Sequence, residues 1–196
     1  MSAEPVTLAD AEPADLLVRN LGVAGQLLAS ATAFFFLAFL FAYVYLRALN
    51  SDGQWHPKNV HPPVGTGTVV AALLVLSAVA VQLASADERA GRLAARAPKL
   101  GAGFVLGLAA LVVQVVEWGT VGFGPADGGY ASVFVGWTGF YFAFALLTLC
   151  WLEIQLASAL RRRSEPLPGL AAFSFYWTFL VGVGLLSWVV LYLVTP

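Results

Sequence analysis

The sequence predicts an all-α integral membrane protein of five transmembrane helices, on three observations. Only 11% of its 196 residues are charged and 60% are hydrophobic, where a soluble domain carries about 25% charged residues. Mean hydropathy is +0.82. Five apolar runs each reach the roughly 20 residues that a helix needs to cross the hydrocarbon core. These runs are continuously apolar, without the period-2 alternation of barrel strands. Backbone polar groups in lipid must be satisfied internally, which leaves helices.

Residues 1–20 carry four acids, Glu4, Asp10, Glu12 and Asp15, before the first base, Arg19. A secretory signal shows the reverse order, a basic stretch and then a short apolar one. The segment reads as a cytoplasmic N-terminal arm, disordered or lying on the surface, ahead of a membrane domain over 21–196. The five helices of that domain are expected at about 21–47, 65–86, 100–123, 130–160 and 169–194. The fourth run is long enough to tilt or to project from the bilayer. Gly103 and Gly107 in the third helix, and Gly139 and Ala143 in the fourth, recur at a spacing that lets helices approach closely.

Orientation follows from basic residues near the helix ends. One side holds Arg19, Arg89, Arg92, Arg96, Lys99, Arg161, Arg162 and Arg163; the other holds Arg47 and Lys58. The N-terminus is therefore expected in the cytoplasm and the C-terminus outside. Tyr43, Tyr45, Trp55, Trp118, Tyr130 and Tyr192 lie near predicted ends and read as interfacial aromatics.

Several chemistries find no support. The net charge of −1 gives no field directed at nucleic acid. The two histidines, His56 and His61, share a loop with one nearby acid, Asp52, too few ligands for a metal site. No predicted span holds a histidine, a common haem ligand. No phosphate-binding or dinucleotide fingerprint is present. The single cysteine, Cys150, cannot form an internal disulfide and reads as a small core residue.

Inside the spans the ionisable residues are Glu117 and Glu153, with the amides Gln26, Gln82, Gln114 and Gln155. Such groups are costly in lipid unless paired. Gln114 and Glu117 are three apart on one helix and within side-chain reach. Their face should point into the bundle, with Gln82 a doubtful partner. Counting from Lys99 at about 1.5 Å per residue, Glu117 lies roughly 27 Å across, near the outer interface. It reads as a hydrogen-bonding anchor rather than a midplane proton carrier. Glu153, two turns before Arg161, is expected to pair or reach toward the basic cluster.

Taken in order, several segments resemble subunit III of the haem-copper terminal oxidases, the cytochrome c oxidase subunit III family, in its five-helix bacterial form. They are SATAFFFLAFLFAYVYLRA with the following GQWHP, then QVVEWG (114–119), GYASVFVGWTGF (129–140) and FYWTF (175–179). The motif residues are Gln114, Glu117, Trp118, Tyr130, Ser132, Thr138, Tyr176 and Trp177, read as structural or lipid-contact positions. The pattern departs from the family at Thr32, where a glutamate is usual, and at Tyr141, Phe144 and Thr178, where histidines are usual. Val181 replaces a following acid. The resemblance implies a non-catalytic accessory subunit in the bacterial plasma membrane, without a redox centre of its own. Haem and copper would lie in partner subunits, and its partners would be the catalytic subunit I, other oxidase subunits and membrane phospholipids. It would stabilise subunit I, hold lipid and ease oxygen access. The alternatives are an accessory subunit of a nitric oxide reductase and a small proton-coupled transporter using Glu117.

Overall fold

The computed structural model describes residues 13–50, 55 and 60–194. Among them the chain forms five helices: α1 (Ala14–Ala48), α2 (Val64–Arg89), α3 (Leu93–Thr120), α4 (Gly129–Arg161) and α5 (Leu170–Trp188). The last continues into a π-helical turn, Val189–Leu193. All five are long and apolar enough to cross a membrane, so the chain is a multi-pass membrane protein. Helix α1 begins at Ala14, inside the stretch expected to be an arm. Pro13 precedes it, and its carbonyl accepts a hydrogen bond from Leu17 N at 3.0 Å. A proline just before the first turn loses no intrahelical bond, so the helix can start there.

Helices α2 and α3 form a tight antiparallel hairpin. Their connection turns at Gly91, whose φ of 73° is in the left-handed region, open to glycine at little steric cost. The two helices then approach through Gly103. A Cβ there would stand 2.9 Å from Val81 Cγ2, and Ser77 Oγ donates across to the Gly103 carbonyl at 2.6 Å. Gly107 is equally confined, by Leu149 of α4, Ser77 and Trp177 of α5. The expected glycine seam on α3 is therefore a contact with three other helices, α2, α4 and α5. The pair on α4 is not an internal seam. A Cβ added at Gly139 would meet no atom within 4 Å, and Ala143 is exposed.

A buried aromatic cluster closes the end of the bundle where α1 stops and α4 begins. Tyr43 and Trp55 meet edge-on at 5.1 Å between ring centroids, Trp55 and Tyr130 at 6.0 Å, and Phe134 and Tyr192 at 5.4 Å. The interfacial-belt reading thus fails for Tyr43, Trp55, Tyr130 and Tyr192, which are all buried. Edge-to-face pairs add roughly 0.5–1.5 kcal/mol beyond burial, which favours the interior. Tyr45 is exposed. Cys150 also departs from expectation, lying exposed on the outer face of α4. Every face of that helix is apolar, so periodicity marks no buried side.

Candidate functional site

Glu117 sits in the last turn of α3, with no exposed surface. Gln114, one turn earlier, donates to its Oε2 at 2.5 Å. The helical repeat puts the two residues on one face, and that face points into the bundle as expected. Two groups from other helices complete the site. Thr66, in the first turn of α2, lies 3.1 Å from Oε1, and its hydroxyl is also 2.9 Å from the Pro63 carbonyl. One proton serves both acceptors in turn. The Tyr192 hydroxyl stands 3.0 Å from each carboxylate oxygen.

Local backbone explains how Tyr192 gets there. It lies in the π-helical turn, which widens the spiral and re-aims side chains, as such turns do at functional sites. Its ring then rests on Gly67 of α2, so closely that a Cβ there would overlap it. The carboxylate is a three-way tie between the start of α2, the end of α3 and the end of α5. No ion pair found among the described residues involves Glu117; neutral donors hold it. Beside it is a cavity of about 30 Å³ lined in part by Gln114, Thr138, Tyr141, Ser187 and Tyr192. That is room for a water or two among polar groups.

The other motif residues bind neighbouring segments. The Trp118 indole N–H donates to Thr138 Oγ1 at 3.1 Å, and Thr138 donates to Phe134 O at 2.7 Å. Tyr130 donates to Leu191 O at 2.7 Å. Ser132 bonds the Pro125 carbonyl. The Trp177 indole donates to Ser77 Oγ at 3.2 Å. Tyr176 meets Thr32 at 3.1 Å between hydroxyls. Gln114, Glu117, Tyr130, Thr138, Tyr176 and Trp177 are buried, Trp118 is half-buried and Ser132 exposed.

The positions that depart from the family pattern have local partners too. Tyr141 donates to Leu180 O at 3.2 Å, over Gly184, where a Cβ would overlap its hydroxyl. Gln82 is no partner of Glu117; its amide donates to Thr178 Oγ1 at 2.6 Å and to Ser174 O at 3.3 Å. Glu153 is exposed on α4, without the expected pairing to the basic cluster among the described residues. Of the two histidines, His61 is exposed and His56 lies outside the described residues. Among the described residues no group of three or more His, Cys, Asp or Glu could hold a metal ion.

The largest departure from the sequence reading lies at the opposite end of α3. Arg96 is completely buried. Its Nη1 donates to Glu88 Oε2 at 2.9 Å, and its Nη2 to the carbonyls of Arg162 and Glu165 at 2.6 and 2.7 Å. Glu88 Oε1 in turn accepts from Leu167 N at 2.7 Å. Beside this pair, buried Asp87 is held by Arg92 at 2.7 Å and by Lys99. By sequence Arg96 is only a topological charge. The structure makes it the clamp of the α4–α5 loop onto the α2–α3 hairpin. The signal that could have found it is the acid pair Asp87-Glu88 facing three bases across a short turn.

Five apolar helices tied at both ends by buried polar clusters define a multi-pass helical membrane protein whose interior charges hold helix ends in place. The sequence profile of "Cytochrome c oxidase subunit III" matches residues 16–195, and the chain belongs to that family. It is 28% identical over 154 residues to the cytochrome c oxidase subunit 3 of Gallus gallus, covering 75% of this chain and 59% of the relative. The subunit 3 of Cyprinus carpio is 28% identical over 166 residues, 81% of this chain and 64% of the relative. That of Struthio camelus is 27% identical over 169 residues, 82% and 64%. The chain thus matches about three fifths of the length of these relatives.

Proposed function

We propose that this chain is a non-catalytic accessory subunit of a respiratory haem-copper terminal oxidase. The observation that carries the reading is the family profile running through all five helices, residues 16–195. In this reading haem and copper reside in the catalytic subunit, against which the chain packs. Its role is to stabilise that subunit, to hold lipid and to ease oxygen access. In this reading the membrane is the bacterial plasma membrane. The basic residues gathered at the Arg89, Lys99 and Arg161 end favour that end, and the N-terminus, facing the cytoplasm. Glu117 supports an anchoring role, since both of its oxygens already accept hydrogen bonds.

The test is extraction from native membranes in mild detergent with a tag on this chain. Co-purification of large oxidase subunits, with haem absorbance, is the expected result. A chain that runs alone and colourless refutes the proposal. Within the complex, Glu117→Gln should reduce retention of this subunit more than it reduces turnover per retained subunit.

A further inference from the structure

The cavity near Glu117 also reaches the last turn of α5, where it meets an unpaired donor. Trp188, the final residue of α5 before the π-helical turn, lines it. The indole Nε1 of Trp188 is buried, and among the described residues nothing accepts its hydrogen. An unsatisfied N–H in an apolar interior is costly. Folded proteins pair nearly all such groups, and use ordered water where no protein atom reaches.

Two acceptors share the same cavity. Ser187 gives its hydroxyl proton to Val183 O at 2.7 Å, a bond that turns the side chain back along the helix. Tyr141 of α4 gives its proton to Leu180 O at 3.2 Å, and its hydroxyl lies over Gly184. Gly184 and Trp188 are four apart, so they share one face of α5. Both hydroxyl oxygens keep lone pairs but have no further proton to give. The cavity therefore joins a donor that needs an acceptor to two oxygens that can still accept. Its volume is about 30 Å³, and a water needs roughly 10–15 Å³ and two to four polar partners. An apolar occupant would leave the Trp188 N–H unpaired. A water accepts from it and donates to both oxygens.

We propose that this cavity binds one structural water, held by Trp188 Nε1, Tyr141 Oη and Ser187 Oγ. The water ties α4 to α5 at the point where α5 widens into the turn that carries Tyr192. The site does not depend on the oxidase reading, and its test reads water rather than haem. The full chain, with isotope-labelled tryptophan, is held in detergent micelles, and magnetisation transfer from water to each indole N–H is measured by NMR. Trp188→Phe and Trp137→Phe assign their two signals by loss. Trp137 is the internal reference, because its indole nitrogen is also buried and unpartnered among the described residues but does not line the cavity. Transfer with the sign of a long-lived water is expected at Trp188, severalfold stronger than at Trp137. The double variant Tyr141→Phe, Ser187→Ala removes both acceptors and should cut that transfer severalfold while the other indole signals stay in place. No transfer at Trp188 in the parent overturns the proposal. So does equal transfer at Trp137, which would report general penetration of water. A shift of the Trp188 signal under xenon pressure also overturns it, since xenon enters dry apolar cavities.

Discussion

Replacing Arg96 by methionine removes a buried guanidinium while keeping most of the side-chain volume. The consequences can be worked from its contacts. Glu88 loses its cation, and its side chain is only 14% exposed, so water compensates poorly. The carbonyls of Arg162 and Glu165 lose their shared donor. Breaking one side of a buried ion pair costs about 3–5 kcal/mol, and the partial exposure of Glu88 favours the low end, about 3 kcal/mol. For a chain of this size that lowers the unfolding temperature by about 6–12 °C, at 2–4 °C per kcal/mol. The double variant Arg96→Met, Glu88→Gln tests the mechanism. Glutamine still offers Leu167 N an acceptor but carries no stranded charge, so more than half of the loss should return. The coupling between the two sites should exceed about 1 kcal/mol. The assays are thermal unfolding in detergent and limited trypsin digestion. Arg161, Arg162 and Arg163 are exposed beside the clamped loop, and each 1.4 kcal/mol lost locally raises cleavable open forms about tenfold. An Arg96→Met protein that unfolds and cleaves like the parent, or a double variant no better than the single, refutes the clamp.

Two further outcomes test the packing directly. Tyr192→Phe removes one donor to Glu117 and should cost about 0.6–1.7 kcal/mol, the range for interhelical hydrogen bonds in membrane bundles, whereas Glu117→Ala strands Gln114 and Tyr192 and should cost about 2–4 kcal/mol; thermal unfolding ranks them. Gly107→Val drives a Cβ to 2.7 Å from Leu149 Cδ2 and should cost about 1–3 kcal/mol, while Gly101→Val, facing open space, should be nearly neutral in the same assay.

The helix count was legible because lipid demands about 20 apolar residues in a row, a signal that survives ignorance of packing. The Gln114–Glu117 pair was legible for a similar reason, since helical spacing alone brings the two side chains together. Which side of a helix faces the bundle was not legible. In α5, LAAFSFYWTFLVGVGLLSW, buried and exposed positions are equally apolar, so no amphipathic stripe marks the core. Cys150, Gly139 and Ala143 were misplaced on α4 for that reason. The aromatics at helix ends failed differently. A tyrosine or tryptophan near an interface satisfies the rule for belts, yet the same residue type also builds buried edge-to-face clusters, and only the tertiary fold selects between them. Arg96 was hidden because a base outside a span has a sufficient topological role, and nothing local says that its guanidinium turns inward.

The two polar clusters sit on α3 at residues 96 and 117, which at 1.5 Å per residue are about 32 Å apart. That is close to the ~30 Å thickness of the hydrocarbon core. Charge is thus placed at the two edges of the apolar layer, where desolvation costs least. Between the edges, the α3 contacts rest on glycine and on Ser77, which donates to Gly103 O and accepts from Trp177. An acid that coupled ion movement to transport would be expected to have a partner along the interior of the bundle. Glu117 instead shares its oxygens with Gln114, Thr66 and Tyr192, all at one end. The arrangement keeps charge at the helix ends and holds the middle of the bundle by close packing and neutral hydrogen bonds between helices. That division suits the accessory role proposed above, in which the chain would serve its complex as a rigid wall.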